Sequence, residues 1–334
     1  MRTTLETLLD LGRPLLADGA TGTNFMEMGL GPGEPPEFWN LDSPDKVRSL
    51  HQQFVDAGAD IILTNTFGCN RFRLKLHRAE ERAHEIAQRG AEIAGEVAAA
   101  CDRPVVVAGS VGPTGELLEP LGTMTESQAV DAFTEEIEGL LAGGADVAWI
   151  ETKSAAQEMR AAAQAAIAVG MPYTVTASFD TAGRTMMGLR PPELFDVFAD
   201  LPVGPLAIGA NCGVGASDLL LAIQQMPDRG IPIIAKSNCG VPQFRGTEIE
   251  YSGNPTLMGQ YATLAVDSGA RIVGGCCGTS PEHLAEMRRT LDSHHRGDIP
   301  DMERIIAAVG PLTNSVSTDA ADDDQPVRRR RRRS

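Results

Sequence analysis

The sequence predicts an α/β protein built on a single (β/α)8 barrel. Eight short apolar runs, each bounded by turn residues, recur along the chain at fairly even intervals. Segments of helical length, with apolar residues about 3.6 positions apart, separate these runs. Continuous apolar runs are typical of parallel strands buried on both faces, and eight strand–helix units favour a closed barrel. An open doubly wound sheet is the alternative architecture.

The predicted elements follow one another as strand and helix. The apolar runs predict strands over residues 14–17, 60–63, 104–108, 145–150, 173–177, 206–209, 231–235 and 271–273. The segments between and after them predict helices over residues 44–57, 78–100, 126–142, 155–169, 192–199, 217–226, 254–268 and 281–294. The glycine-rich turn after the first strand lacks the G-x-G-x-x-G spacing, so the sequence gives no support for a dinucleotide site.

The barrel is expected to occupy residues 1–295, with a C-terminal extension over 296–334. The strand–helix pattern fades after about residue 296, and residues 315–334 are rich in Asp, Ser and Arg. Such a composition predicts a disordered tail. The arginine run Arg328–Arg333 favours a solvated segment, and contact with an anionic surface is the alternative.

Composition excludes several classes of protein. The chain has 334 residues, and its hydrophobic (42%) and charged (22%) fractions are those of a globular protein rather than a disordered one. A net charge of −16 and only 4% aromatic residues argue against a nucleic-acid partner. We find no apolar stretch long enough for a membrane span and no signal-peptide core, and therefore expect a cytoplasmic protein whose six cysteines are reduced.

The cysteines predict a metal site. Cys276 and Cys277 are adjacent, flanked by glycines, at the end of the eighth predicted strand, and Cys212 ends the sixth. The carboxyl ends of barrel strands converge on one face, so three thiolates can reach one tetrahedral Zn²⁺ and leave its fourth position open, as in catalytic zinc sites. The spacing matches no familiar C-x-x-C pattern, and a role as small buried core residues is the alternative.

Carboxylates near the same face suggest the substrate. An open zinc position suits an incoming thiol, because zinc deprotonates a coordinating thiol. Asp18 and Glu151 follow the first and fourth strands and can bind an ammonium group, while backbone N–H groups around Gly19 and Thr21 can hold a carboxylate. Together these groups predict a substrate that is an amino acid with a thiol side chain. The alternatives are a turn or helix-cap role for Asp18 and a rim salt bridge for Glu151.

These residues carry a resemblance to a known family. The chain resembles the homocysteine S-methyltransferases, a family that includes betaine–homocysteine methyltransferases, S-methylmethionine-dependent enzymes and the homocysteine-binding module of cobalamin-dependent methionine synthase. The matching stretches run in family order through most of residues 10–295, at Asp18-Gly19-Ala20-Thr21-Gly22-Thr23, Thr64-Asn65-Thr66-Phe67, Gly112-Pro113-Thr114, Glu151-Thr152, Gly183-Arg184-Thr185, Asn211-Cys212, Asn238-Cys239-Gly240-Val241-Pro242 and Gly274-Gly275-Cys276-Cys277-Gly278-Thr279.

The resemblance implies a zinc-containing barrel that forms methionine by direct methyl transfer to the thiolate of zinc-bound homocysteine. It implies that Cys212, Cys276 and Cys277 are the zinc ligands and that Asp18 and Glu151 contact the amino group of homocysteine.

Two further residues of interest follow the seventh predicted strand. Asn238 matches a residue that, in members of the methionine-synthase type, occupies the open zinc position before substrate arrives. Cys239 lies outside the family pattern, and its role is left open.

The methyl donor is expected to be betaine. Quaternary ammonium groups are usually held in aromatic cages, and Trp39 and Phe67 are the candidate aromatic residues of such a cage. The animal betaine enzymes have tyrosines where this chain has Gly68 and Thr152. The alternatives are the homocysteine-binding subunit of a split methionine synthase, which would receive methyl from a separate corrinoid protein, and an S-methylmethionine-dependent enzyme. Two hypotheses from other functional classes also remain: a zinc hydrolase, and a non-catalytic module that binds zinc and a thiol. The oligomeric state is left open.

Overall fold

The computed structural model of the protein describes residues 3–245 and 248–313 and contains the predicted (β/α)8 barrel. In chain order the strands are β1 (Leu15–Leu16), β2 (Ile61–Leu63), β3 (Val106–Val111), β4 (Val147–Lys153), β5 (Tyr173–Ala177), β6 (Ile208–Cys212), β7 (Ile233–Ser237), β8 (Pro242–Arg245), β9 (Glu248–Tyr251) and β10 (Ala270–Gly275). All but β8 and β9 belong to one parallel sheet.

The parallel sheet closes on itself. Its strands lie in the order β1, β10, β7, β6, β5, β4, β3, β2. A parallel bridge joins Ala17, just after β1, to Ile61 of β2, and the Asp18 N–H donates to the Ile61 carbonyl at 3.0 Å. The open-sheet alternative is therefore excluded. Strands β8 and β9 form a separate antiparallel hairpin between β7 and the following helix, which the sequence analysis did not predict.

The helices largely match the predicted segments. They are α1 (Leu5–Leu9), α2 (Gly22–Glu27), α3 (Trp39–Asp42), α4 (Pro44–Asp56), α5 (Arg71–Lys75), α6 (Ala83–Ala100), α7 (Glu126–Ala142), α8 (Ala156–Val169), α9 (Ala216–Gln224), α10 (Pro255–Asp267), α11 (Pro281–Ser293) and α12 (Met302–Val309). Three further segments are 3₁₀-helices: Pro36–Phe38, Glu80–Arg82 and Pro191–Phe198. The helix predicted over 192–199 is thus present as a 3₁₀-helix. Within the described residues, no helix combines the length and the apolar character needed to cross a membrane.

Two hydrophobic layers stabilise the barrel. The inner layer fills the barrel with the side chains of its strands, and the short helix α1 adds Leu5 and Leu8, both buried, to that layer. The outer layer lies between the strands and the surrounding helices. A barrel filled in this way has its chemistry at the loops that follow the carboxyl ends of the strands.

The C-terminal extension contains a helix that the sequence analysis did not predict. Helix α12 lies beyond residue 296, where the strand–helix pattern fades. It is held partly through the buried carboxylate of Asp267 in α10, which accepts hydrogen bonds from Gly297 N–H at 2.7 Å and from Arg304 Nη2 at 3.1 Å. His294 Nε2 lies 2.8 Å from the same carboxylate. Residues 314–334, including the predicted tail and Arg328–Arg333, lie outside the described residues.

Candidate metal and substrate site

Three cysteines meet at the mouth of the barrel. Cys212 is the last residue of β6, and Cys276 and Cys277 directly follow β10. Their three Sγ atoms all lie within 4.8 Å of one another, and each side chain is partly exposed. A tetrahedral zinc ion with Zn–S bonds of about 2.3 Å separates its sulfur ligands by about 3.8 Å. The limit of 4.8 Å on the sulfur separations of the cluster is compatible with that value, and such a donor set suits a thiophilic metal.

The backbone around the cluster is shaped by unusual conformations. Cys212 has a φ of 61°, a left-handed value that is costly for a residue with a side chain, and Gly213 follows with a φ of 77°. After β10, a Cβ atom on Gly275 would lie 2.2 Å from the side chain of Thr279. Only glycine allows the chain to fold back so closely at this point. The two cysteine loops are thus held in tight, specific turns.

Asn238 ties the two cysteine loops together. Its Nδ2 donates to the Gly213 carbonyl at 2.7 Å, and its Oδ1 accepts the Cys277 N–H at 3.1 Å. Both ends of its amide are therefore committed to backbone groups in this structure, and its role as a zinc ligand stays a prediction. Cys239 is buried outside the cluster, although its N–H donates to the Cys277 carbonyl at 2.9 Å.

The thiols of the cluster hold their protons in the absence of a cation. A hydrogen bond with the Cys276 sulfur, followed by burial, raises the pKa of Cys212 to about 12. A hydrogen bond with the Cys212 sulfur, again followed by burial, raises the pKa of Cys277 to about 11. Binding of a divalent ion to this cluster would therefore release protons.

Glu151 presents a buried carboxylate beside the cysteines. Its Oε1 accepts a hydrogen bond from Ser110 Oγ at 2.6 Å, and Asn211 Nδ2 lies 3.4 Å from Oε2. The same Asn211 Nδ2 lies 3.8 Å from the Cys276 sulfur, which links the carboxylate to the cluster. Burial raises the pKa of Glu151. Among the described residues no basic side chain forms an ion pair with Glu151, although the charges of Lys236 and Lys153 act on its carboxylate and partly offset the effect of burial on its pKa.

Asp18 is neutralised within the protein. Lys236 Nζ of β7 lies 2.8 Å from its Oδ1, and the Leu63 N–H donates to its Oδ2 at 2.7 Å. Both charged side chains are about 1% exposed. Burial raises the pKa of Asp18. A second cation at Asp18 would have to approach beside Lys236, using the lone pairs that these two bonds leave free.

The turn after β1 packs against the cysteine loop. A Cβ atom on Gly19 would lie 2.5 Å from the Thr279 carbonyl oxygen, which also accepts the Ala20 N–H at 3.0 Å. Thr21 precedes α2, and its side chain makes no capping hydrogen bond to that helix. Gly19 and Thr21 therefore lie on the loop that the structure brings next to the cysteines.

The two candidate donor-binding aromatics differ in exposure. Trp39 is 7% exposed: its ring packs on Phe25 with centroids 4.9 Å apart, and Lys46 Nζ lies 4.2 Å from its centroid. Phe67, in the loop after β2, is 37% exposed. Beside it, the Gly68 N–H donates to the buried carboxylate of Glu37 at 2.7 Å. Only Phe67 of the two presents a substantial surface to solvent, and a donor-binding role for both stays a prediction.

Sequence reasoning missed two contributors to the site. Lys236 lies just past the apolar run predicted over 231–235, and its ion pair with Asp18 joins residues that are far apart in the chain. Tyr251 ends the unpredicted hairpin, and its ring packs on Gly278, the residue that follows Cys277: a Cβ atom on Gly278 would lie 2.4 Å from Cγ of Tyr251. No spacing signal points to either contact, because both depend on the closure of the barrel.

The fold and site define a (β/α)8 barrel whose mouth carries a metal-competent cysteine cluster beside buried carboxylates. The chain belongs to the homocysteine S-methyltransferase family, whose profile matches residues 15–291. It is 31% identical over 332 residues to the methionine synthase of Mycobacterium leprae, covering 94% of this chain and 27% of the relative. The methionine synthase of Mycobacterium tuberculosis is 31% identical over 292 residues, covering 82% and 24%. The chain thus spans about a quarter of the length of these relatives.

Solved structures show the same fold. The crystal structure of the homocysteine methyltransferase MmuM from Escherichia coli, in its metallated form, superposes with a TM-score of 0.70 at 23% identity, covering 85% of this chain and 99% of that one. The oxidised form of the same protein gives a TM-score of 0.70 as well.

Proposed function

We propose that the protein is a zinc-dependent methyltransferase that converts homocysteine to methionine. The observation that carries this proposal is the convergence of three sulfur atoms within 4.8 Å of one another, next to the buried carboxylate of Glu151, which has no ion-pair partner among the described residues. Cys212, Cys276 and Cys277 would hold the zinc ion, whose chemistry when bound is to keep an incoming thiol in its thiolate form. One crystal structure of MmuM from Escherichia coli is of a metallated form of that protein, which supports a metal in this fold.

The charges around the cluster support an amino-acid substrate. Glu151 is the proposed principal acceptor for the ammonium group of homocysteine, because it is buried and has no ion-pair partner among the described residues. Asp18 is the proposed second acceptor, although Lys236 already neutralises most of its charge. The backbone around Gly19 and Thr21 would receive the carboxylate, in line with the resemblance drawn from the sequence.

In this proposal the protein's own residues position the substrate and do not transfer a proton. Glu151 and the turn after β1 would fix both ends of the amino acid, so that its sulfur enters the mouth in one orientation. Methyl transfer then requires the donor's methyl carbon to approach that sulfur in line with the bond that breaks. Catalysis by positioning of this kind accounts for a large part of many enzymes' rate enhancement.

Two donors merit comparison. Betaine, the donor expected from the sequence, needs an aromatic enclosure, and Phe67 offers an exposed ring at the mouth. Trp39 is buried beneath Lys46, and Glu37 occupies the space beside Gly68. Few aromatic side chains are therefore available to surround a quaternary ammonium group. Similarity to mycobacterial methionine synthases favours, as the second candidate, methyl transfer from a corrinoid protein.

A donor screen tests the proposal. Zinc-loaded protein and homocysteine are incubated with betaine, dimethylsulfonioacetate, S-methylmethionine or a methylated corrinoid protein, and methionine is measured by mass spectrometry. Methionine formed with any donor supports homocysteine methylation and identifies the donor. Tight binding of zinc and homocysteine without turnover on any of them would instead indicate a non-catalytic binding module.

A further inference from the structure

The carboxamide of Asn211 ties three neighbouring strands together at the mouth of the barrel. From β6, its Oδ1 accepts the hydroxyl of Thr176 in β5 at 2.7 Å and the N–H of Thr152 in β4 at 2.9 Å. Its Nδ2 donates to Thr152 Oγ1 at 2.7 Å. Asn211 is 1% exposed, so the groups bonded to it would find little water to replace the amide, and its removal is costly.

Strand β4 carries an extra residue at the point that Asn211 holds. The pairing of β4 with β5 shifts register between Ile150 and Lys153. In that interval Glu151 and Thr152 lie opposite a single residue of β5, which is the pattern of a β-bulge. Thr152 has a φ of 59°, a left-handed value that is strained for a β-branched residue and persists only where its surroundings enforce it. The hydrogen bonds of Asn211 are made to this strained residue itself.

The bulge changes the face on which the following side chain of β4 lies. Before it, Val147 and Trp149 belong to the layer that fills the barrel, and Glu151 continues on that inner face. Regular alternation along a strand would place Lys153 on the inner face as well. The Nζ atom of Lys153 instead lies 4.0 Å from the ring centroid of Phe133 in α7, which belongs to the layer between strands and helices. The extra residue has therefore turned the lysine to the helix side of the sheet.

The face that Lys153 occupies decides the charge at the mouth. On the inner face, Lys153 would lie two residues from Glu151 along the same strand, about 7 Å away, a distance that a lysine side chain spans. An ion pair formed there would occupy the carboxylate that the proposed function assigns to the substrate. On the helix side, Lys153 is buried and its Nζ donates to the Gly112 carbonyl. The carboxylate of Glu151 is thereby left for a ligand.

We propose that Asn211 is a positioning residue: it holds the bulge of β4 and so keeps Lys153 away from Glu151, which then receives the ammonium group of an amino-acid substrate. Asn211 acts through the path of the strand, not by contact with the substrate. The identity of the ligand at Glu151 rests on the proposed function. The placement of Lys153 is a property of the protein alone, and it is tested without substrate.

The test compares the accessibility of lysines in the native protein and in Asn211→Ala. Both full-length proteins are treated briefly with acetic anhydride, and peptide mass spectrometry follows acetylation of each lysine. Lys236 is the internal control, because it is also about 1% exposed but belongs to β7, which does not pair with β4. Asn40→Ala is the control variant, because it removes another buried carboxamide, whose Nδ2 donates to carbonyls of the loop after β2 and of α6.

We expect acetylation of Lys153 to become about tenfold faster in Asn211→Ala, because the buried hydrogen bonds that hold the bulge are gone. Acetylation of Lys236 should keep its native rate, and Asn40→Ala should behave as the native protein at both lysines. If Asn211→Ala does not fold, Thr176→Val removes a single bond to the amide and should accelerate Lys153 acetylation about threefold. An unchanged rate at Lys153, or an equal rise at Lys236, would overturn the inference.

Binding to the zinc-loaded protein tests the consequence for the substrate. By calorimetry, Asn211→Ala should bind homocysteine about tenfold more weakly and should bind 4-mercaptobutanoate, which lacks the amino group, as the native protein does. Adding Lys153→Met to Asn211→Ala should restore the affinity for homocysteine, and failure to restore it would refute the role assigned to the lysine. The acetylation result requires neither homocysteine nor methionine formation, so failure of the proposed function would appear separately in the donor screen.

Discussion

Replacing Glu151 by glutamine should weaken homocysteine binding through its amino group. The substitution preserves shape and leaves an oxygen to accept the Ser110 hydroxyl, which lies 2.6 Å away, but it removes the charge. Glu151 is 7% exposed, so solvent screens its charge weakly. The loss of one charge-assisted hydrogen bond to an ammonium group costs about 2 kcal/mol, which raises KM about 30-fold. Zinc content should not change, because Glu151 is not among the proposed ligands.

A substrate without the amino group provides the decisive comparison. Steady-state kinetics are measured for both proteins with homocysteine and with 4-mercaptobutanoate, which keeps the thiol and the carboxylate. The native protein should lose about as much on removal of the substrate's amino group as on removal of the Glu151 charge, and the variant should show little further loss. If Glu151→Gln impaired both substrates equally, the assigned contact between Glu151 and the ammonium group would be wrong.

Three further substitutions test other parts of the site and fold. Cys276→Ala should lose zinc and methyl transfer together, as measured by atomic absorption and methionine formation, and a zinc-free variant with full activity would contradict the metal assignment. Lys236→Met should lower the free energy of unfolding by about 3 kcal/mol in urea titrations, because it leaves Asp18 buried without its cation; an unchanged midpoint would refute that. Asp267→Asn should cost about 2 kcal/mol and increase amide hydrogen exchange in α12, since the carboxylate holds Arg304; unchanged protection of α12 would argue against this anchor.

Sequence patterns predicted the barrel well because its periodicity is simple. Strand β5 and helix α7 begin and end at the predicted residues, since each is a continuous apolar run or an uninterrupted amphipathic stretch between turns. Strands β3, β4 and β6 each extend three residues beyond their predicted ends. The added residues include polar side chains such as Ser110, Glu151 and Asn211, so the apolar signal stops before the strand does.

Several short elements were not predicted. Strands β8 and β9 are only four residues long, and α12 is a short helix whose anchor is the distant carboxylate of Asp267. The segment Pro191–Phe198 begins with two prolines and forms a 3₁₀-helix, a distinction that apolar spacing alone does not make. In each case the structure depends on contacts with residues far away in the chain.

In the candidate site, too, some features could be predicted from the sequence and others depend on distant contacts. The convergence of Cys212 with the cysteine pair after β10 follows from the rule that parallel strand ends share one face, so it could be predicted from position. The pairing of Lys236 with Asp18 and the packing of Tyr251 on Gly278 depend on the register of the closed barrel and on an unpredicted hairpin. Charge and ring contacts of this kind carry no signature in the local sequence.

X-ray absorption at the zinc edge tests the central claim most directly. The zinc-loaded protein is measured before and after addition of homocysteine, and the sulfur atoms bound to the metal are counted from the scattering at about 2.3 Å. The account predicts three sulfurs from the protein and a fourth when homocysteine is added. A metal bound by fewer than three sulfurs, or a sulfur count that stays at three with saturating homocysteine, would contradict it.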